Sequence, residues 1–185
     1  MDDFEHIKRV LSETKTALKN KDSSKLKELS NQTIHSASIY QDAGSVIIAV
    51  LIYTLSKLIE RKFYEKTKNW DKFVNRVSSF FDLGIRALSK RNQKKFVEYL
   101  FDARKSLTNV SVSLKPYIED VIRKASINKA SKLYEHGISL GQTAQVLGIT
   151  EWELSEYTGQ SNINEHISSS EDVRKRILKA MEFFS

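Results

Sequence analysis

The chain has 185 residues, 40% hydrophobic and 29% charged, with six Gly, one Pro, no Cys and a net charge of +7. No cysteine excludes a disulfide framework and a thiolate metal site. So few Gly and Pro favour long helices over sheet and turn architecture, and the length suits one domain with a small appendage. Met1 is followed by Asp2, Asp3 and an amphipathic stretch, with no basic and then apolar segment, so no signal peptide is predicted and a cytoplasmic protein is expected.

Taken in order, residues 3–21 predict a first helix, with Phe4, Ile7, Val10, Leu11, Ala17 and Leu18 near one stripe and Asp2 or Asp3 as cap. A second helix is expected over about 24–41, capped by Ser23, with Leu26, Leu29, Thr33, Ala37 and Tyr40 on one face. Its small side chains between Ser30 and Ser38 permit close approach of another helix. His35 lies here without a metal-ligand partner at i±4, where Asn31 and Ile39 stand, so a metal role is not expected.

The third stretch, Ser45 to Phe63, is the most apolar in the chain. A helix apolar on all sides must be surrounded by others, and this one is shorter than the roughly 20 apolar residues a bilayer needs. It reads as the central helix of a bundle, with no membrane contact. Further helices are predicted over about 70–90 (cap Asn69), 93–113 (cap Asn92; Phe96, Val97, Leu100, Phe101, Arg104 and Leu107 on one side) and 116–136 (Pro116 in the first turn, Gly137 at the end). No internal repeat of fixed period and no low-complexity tract is evident.

Charge divides the chain. Residues 1–136 carry 26 Lys/Arg against 16 Asp/Glu, net +10, and residues 137–185 carry four against seven, net −3. Arg86, Lys90, Arg91, Lys94 and Lys95 span a helix end and the next helix start with no acid among them. Lys57, Arg61, Lys62, Lys66, Lys68, Lys72 and Arg76 form a second group, diluted by Glu60, Glu65 and Asp71. Clustered cations of this kind neutralise phosphates, although Lys-rich solvated helix faces look the same in sequence. The phenylalanines of this region are assigned to the core, which leaves no stacking platform for single strands.

Residues 138–158 read I-S-L-G-Q-T-A-Q-V-L-G-I-T-E-W-E-L-S-E-Y-T. The pattern is that of a helix-turn-helix. Ala144 is the small residue where the second helix crosses the first, Gly148 the turn residue, and Thr150 with Glu153 a capping box. In a DNA-binding unit the second helix, led here by Thr150, Glu151 and Trp152, enters the major groove. Yet no Lys or Arg lies between Gly137 and Ser169, and four Glu do. Phosphate anchors would come from Arg123, Lys124, Lys129 and Lys132, or from Arg174, Lys175, Arg176 and Lys179. About 30 residues here resemble the short helix-turn-helix of small prokaryotic antitoxins, often paired with PIN-domain ribonucleases; the resemblance implies a unit used for protein contact or autoregulation. A HEPN-type ribonuclease is not expected, because none of His6, His35, His136 and His166 follows an Arg by four to six residues.

The expectation is therefore an all-α protein. A multi-helix bundle spans 1–136, and a helix-turn-helix module with a C-terminal amphipathic helix spans 137–185. That last helix docks on its own chain or on a second copy in a homodimer. The expected function is non-enzymatic: a regulator associated with DNA or RNA through Arg86, Lys90, Arg91, Lys94, Lys95, Arg123 and Lys124, without cofactor or metal. The alternative is an interaction module whose acidic helix-turn-helix binds a basic protein partner.

Overall fold

A computed structural model describes residues 2–40, 43–111 and 113–135, with Gly141 and Ala144. These residues are helical apart from short connections: α1 Asp2–Lys19, α2 Ser23–Tyr40, α3 Ala43–Glu60, the single turn α4 Phe63–Lys66, α5 Trp70–Ser89, α6 Gln93–Thr108 and α7 Lys115–Glu135. The chain is all-α over this range, and among the described residues no helix is long and apolar enough to cross a membrane.

The apolar run becomes the hub. From Gly44 to Ile52 every side of α3 is buried, and α1, α2, α4, α6 and α7 all pack on it. The close approach that small side chains permit occurs at Ser30, whose Oγ donates to the Ala49 carbonyl at 2.7 Å. α3 stops at Glu60, where Lys62 takes a left-handed conformation (φ 53°) and donates its N–H to the Ile59 carbonyl.

Two caps differ from expectation. Asp22, not Ser23, caps α2, accepting the Lys25 N–H on its Oδ1 at 2.9 Å. Its carboxylate reaches the third amide of the helix from just before the first turn, where the orphan donors lie. Asn69 precedes α5, but its side chain makes no capping bond. Asn92 caps α6 as expected.

A repeat that the sequence conceals is plain in the backbone. The α1–α2 and α5–α6 junctions share a turn conformation and its main hydrogen bonds at an offset of 70 residues. Lys21 and Arg91 both have φ 55°. Asp22 and Asn92 each donate N–H to an Ala carbonyl, of Ala17 and Ala87 respectively, both at 2.9 Å. Each then accepts the amide of Lys25 or Lys95 on its side chain. Burial follows the same offset: Ile7 and Val77, Leu11 and Phe81, Leu26 and Phe96, Ser30 and Leu100, Thr33 and Ala103, Ile52 and Ile122 are all buried pairs. Between the units, α1 packs on α5, α3 on α7, and α2 on α7 as α3 does on α6. α3 and α7 run antiparallel, since Tyr53 meets Lys129 while Arg61 meets Tyr117. The two three-helix units, α1–α3 and α5–α7, joined by α4, thus share a junction geometry and a burial pattern, while α7 packs far less on α6 than α3 does on α2. The repeat escapes a reading of residue identities because burial and turn geometry are what recur; Ser faces Leu and Thr faces Ala at equivalent positions.

Candidate nucleic-acid interface

The α5–α6 hairpin places the predicted cations. α5 buries Phe73, Val74, Val77 and Phe81, and its opposite face carries Lys72, Arg76, Ser79, Arg86 and Lys90, all exposed. At 3.6 residues per turn these positions stay within about 40° of one line, and Lys72 to Lys90 spans about 27 Å. Asp71 and Asp82 point elsewhere by the same geometry, and Asp82 is taken up by Lys15 of α1. The stripe runs into the junction, where Arg91 is exposed in its left-handed turn and Lys94 and Lys95 open α6. Lys72 and Arg76 were grouped by sequence with the 57–68 cations. Helical periodicity assigns them instead to the line of Arg86 and Lys90, and that period is the signal that finds them.

None of Lys72, Arg76, Arg86, Lys90, Arg91, Lys94 and Lys95 is ion-paired with a described residue. The first unit differs at the equivalent junction. Lys25 meets Glu13 at 3.3 Å and Glu28 at 3.4 Å, and the hydrogen bonds it donates, to Glu13 first and then to Glu28, raise its pKa. Lys27 and Lys57 both donate to Glu60, and these two bonds hold the Glu60 carboxyl down at about 2. Lys21 lies over the Tyr64 ring at 4.4 Å. At the other first-unit positions stand Asp2, His6, Thr16, Asn20 and Ser24 in place of Lys72, Arg76, Arg86, Lys90 and Lys94. The same junction geometry therefore forms with and without the basic face, so it does not require those cations.

The remaining expected anchors separate. Arg123 and Lys124 are exposed on α7, and Lys124 pairs with Asp120 at 2.9 Å. Lys129 is 3% exposed; it donates to Asn31 Oδ1 at 3.0 Å and lies over the Tyr53 ring, tying α7 to α2 and α3. Its ammonium is therefore held inside the bundle and not on the exposed surface of α7. Phe101, expected on the apolar side of α6, is 43% exposed, while Ala103 fills that side with Phe96, Leu100 and Leu107. Phe101 is left partly exposed because α6 turns it one position past the stripe defined by residues 96, 100, 103 and 107. Half-burial lowers the pKa of Arg104.

Ala144 is helical, 2% exposed and part of the hydrophobic core. Gly148, Thr150, Glu151 and Trp152 lie outside the described residues. Among the described residues no three His, Asp or Glu side chains gather as a metal ion would require. No family model matches the chain, and comparison with curated proteins and with solved structures finds no match.

Proposed function

We propose that the chain is a non-enzymatic nucleic-acid-associated regulator that grips the phosphate backbone with the basic face of its second three-helix unit. One observation carries this reading: seven exposed cations on α5 and the α5–α6 junction lack ion pairs with described residues, whereas the same backbone in the first unit neutralises Lys25 and Lys27 with its own acids. Unpaired Lys and Arg on one line release counterions when phosphates replace water, which drives affinity without sequence preference. The helix-turn-helix pattern at 138–158, with its likeness to small prokaryotic antitoxins, supports a regulatory role in which that unit orients the complex. Its acidic character supports a second reading, in which Glu151, Trp152 and Glu156 contact a basic protein partner while the bundle holds nucleic acid. The test is fluorescence anisotropy with labelled duplex DNA and duplex RNA at low salt. Replacing Arg86, Lys90, Arg91, Lys94 and Lys95 by Gln weakens binding strongly on this account, while replacing Lys19 and Lys21 of the first junction leaves it intact. Equal loss from both sets, or no binding by the unmodified chain, refutes it.

A further inference from the structure

The basic stripe ends in a pocket. Asn69, which precedes α5, and Lys72 and Arg76 of its first two turns face Ser106 and Asn109 at the end of α6, with Phe73 in the wall. The pocket is half-open to solvent and measures about 220 Å³. At about 30 Å³ per water, that is room for roughly seven waters.

Its polar side chains are uncommitted. Asn69 makes no capping bond to α5. The side chains of Lys72, Arg76 and Asn109 make no hydrogen bond or ion pair with a described residue. Ser106 Oγ donates to the Asp102 carbonyl and keeps its lone pairs. The negative end of α6 is partly satisfied within the pocket rim, since the Asn109 N–H bonds the Leu107 and Lys105 carbonyls. Two cations and two amide side chains thus converge on a concave seat, whereas the rest of the stripe presents its cations singly on a convex helix.

That difference selects a ligand. A backbone phosphodiester carries one negative charge and is flanked on both sides by sugar, which suits the convex stripe. A phosphate monoester carries about −1.5 to −2 charges at neutral pH and offers three acceptor oxygens, which suits two cations and two amides around a half-open concave seat. Resting on the nucleic-acid reading above, we infer that this pocket binds a phosphate monoester, seated there as the terminal phosphate of a strand whose backbone then follows the stripe from Arg76 towards Lys90. A free nucleotide monophosphate offers the same chemistry.

The experiment compares three short single-stranded oligonucleotides of one sequence, with a 5′ phosphate, a 3′ phosphate or neither, by anisotropy with the full chain. In parallel, AMP is titrated while the side-chain amide signals of Asn69 and Asn109 are followed by NMR. At least one terminally phosphorylated strand is expected to bind about tenfold more tightly than the unphosphorylated one, a difference of about 1.4 kcal/mol. The double variant Asn69→Ala/Asn109→Ala is expected to erase that preference and leave binding of the unphosphorylated strand unchanged. Arg86→Gln/Lys90→Gln is expected to weaken all three strands alike. Equal affinity for the three strands with no AMP-induced shifts overturns the inference and leaves the backbone reading standing. So does a preference that survives in the Asn69/Asn109 variant. If no strand binds but AMP shifts both amides, the strand-end part of the inference is overturned, the pocket stands as a site for free monoesters, and the duplex measurement above decides the nucleic-acid reading.

Discussion

Ser30 and Leu100 hold equivalent places in the two units, and exchanging their chemistry measures how tightly the first unit is packed. Ser30 is fully buried, and its Oγ lies 2.7 Å from the Ala49 carbonyl, so α2 and α3 approach with a hydroxyl between them. The counterpart of Ala49 in the second unit is exposed Glu119, and α7 packs less extensively on α6 than α3 does on α2. Leu fits at 100 because α7 stands away; it does not fit at 30. Ser30→Ala removes one buried side-chain hydrogen bond, worth about 0.5–1.5 kcal/mol, but strands no acceptor, since the Ala49 carbonyl lies within α3. Ser30→Leu puts three carbons in place of one oxygen at a fully buried point, and overpacking of this kind costs about 1–3 kcal/mol. For a domain of this size each kcal/mol moves Tm by about 2–4 °C. Urea denaturation followed by circular dichroism should therefore rank wild type above Ser30→Ala and Ser30→Ala above Ser30→Leu, at constant m-value. A Ser30→Leu protein as stable as wild type would refute the tight α2–α3 contact.

Three further outcomes follow from particular contacts. Ala49→Asp places a charge at a fully buried point of α3 and should abolish cooperative folding, since an unpaired buried charge costs several kcal/mol; a soluble variant with a cooperative transition would contradict the hub role. The Glu60 carboxyl should titrate near 2 by NMR, held there by Lys27 and Lys57. Its folded pKa lies below the ordinary value of 4.5, so its contribution to stability is present above about pH 4.5 and fades as pH falls towards 2; Lys27→Met should move the midpoint upward, and an unmoved midpoint would show that the bond does not persist in solution. Asp22→Ala and Asn92→Ala should each cost about 0.5–2 kcal/mol in thermal unfolding, because both remove one side-chain cap of the same geometry. A cost at only one of the two would contradict the equivalence of the junctions.

The helices were legible because apolar residues recur at helical spacing and because breaks at Asn20–Asp22, Lys66–Asn69 and Asn92 use turn-forming side chains. The hub was legible from its unbroken apolar run. Other features depend on three-dimensional neighbours. The repeat is carried by burial and by the left-handed turns at Lys21 and Arg91, and neither quantity is written in residue identity, since Lys and Arg are not residues that announce a positive φ. Phe101 looked like core because it stands next to Leu100, and one residue along a helix is 100° of rotation. Lys129 looked like surface because it is a lysine, yet its stem and ammonium are covered by α2 and α3. The corner at Arg86–Lys95 was found from sequence because its cations are contiguous; Lys72 and Arg76 required the helix period, and the Asn69–Asn109 pocket required knowing that α6 ends beside the start of α5.

The proposal that the second unit's basic face binds phosphates is tested most directly by salt dependence. Affinity for a labelled duplex is measured over a range of salt concentrations for the unmodified chain and for the variant in which Arg86, Lys90, Arg91, Lys94 and Lys95 are Gln. Each cation in contact with a phosphate contributes about 0.9 to the slope of log K against log salt on B-form DNA. The unmodified chain should show a slope steeper than the variant's by about 0.9 for every one of the five that touches a phosphate, with the loss shared by unrelated duplex sequences. Identical slopes for the two proteins, or no binding by the unmodified chain even at low salt, would contradict it.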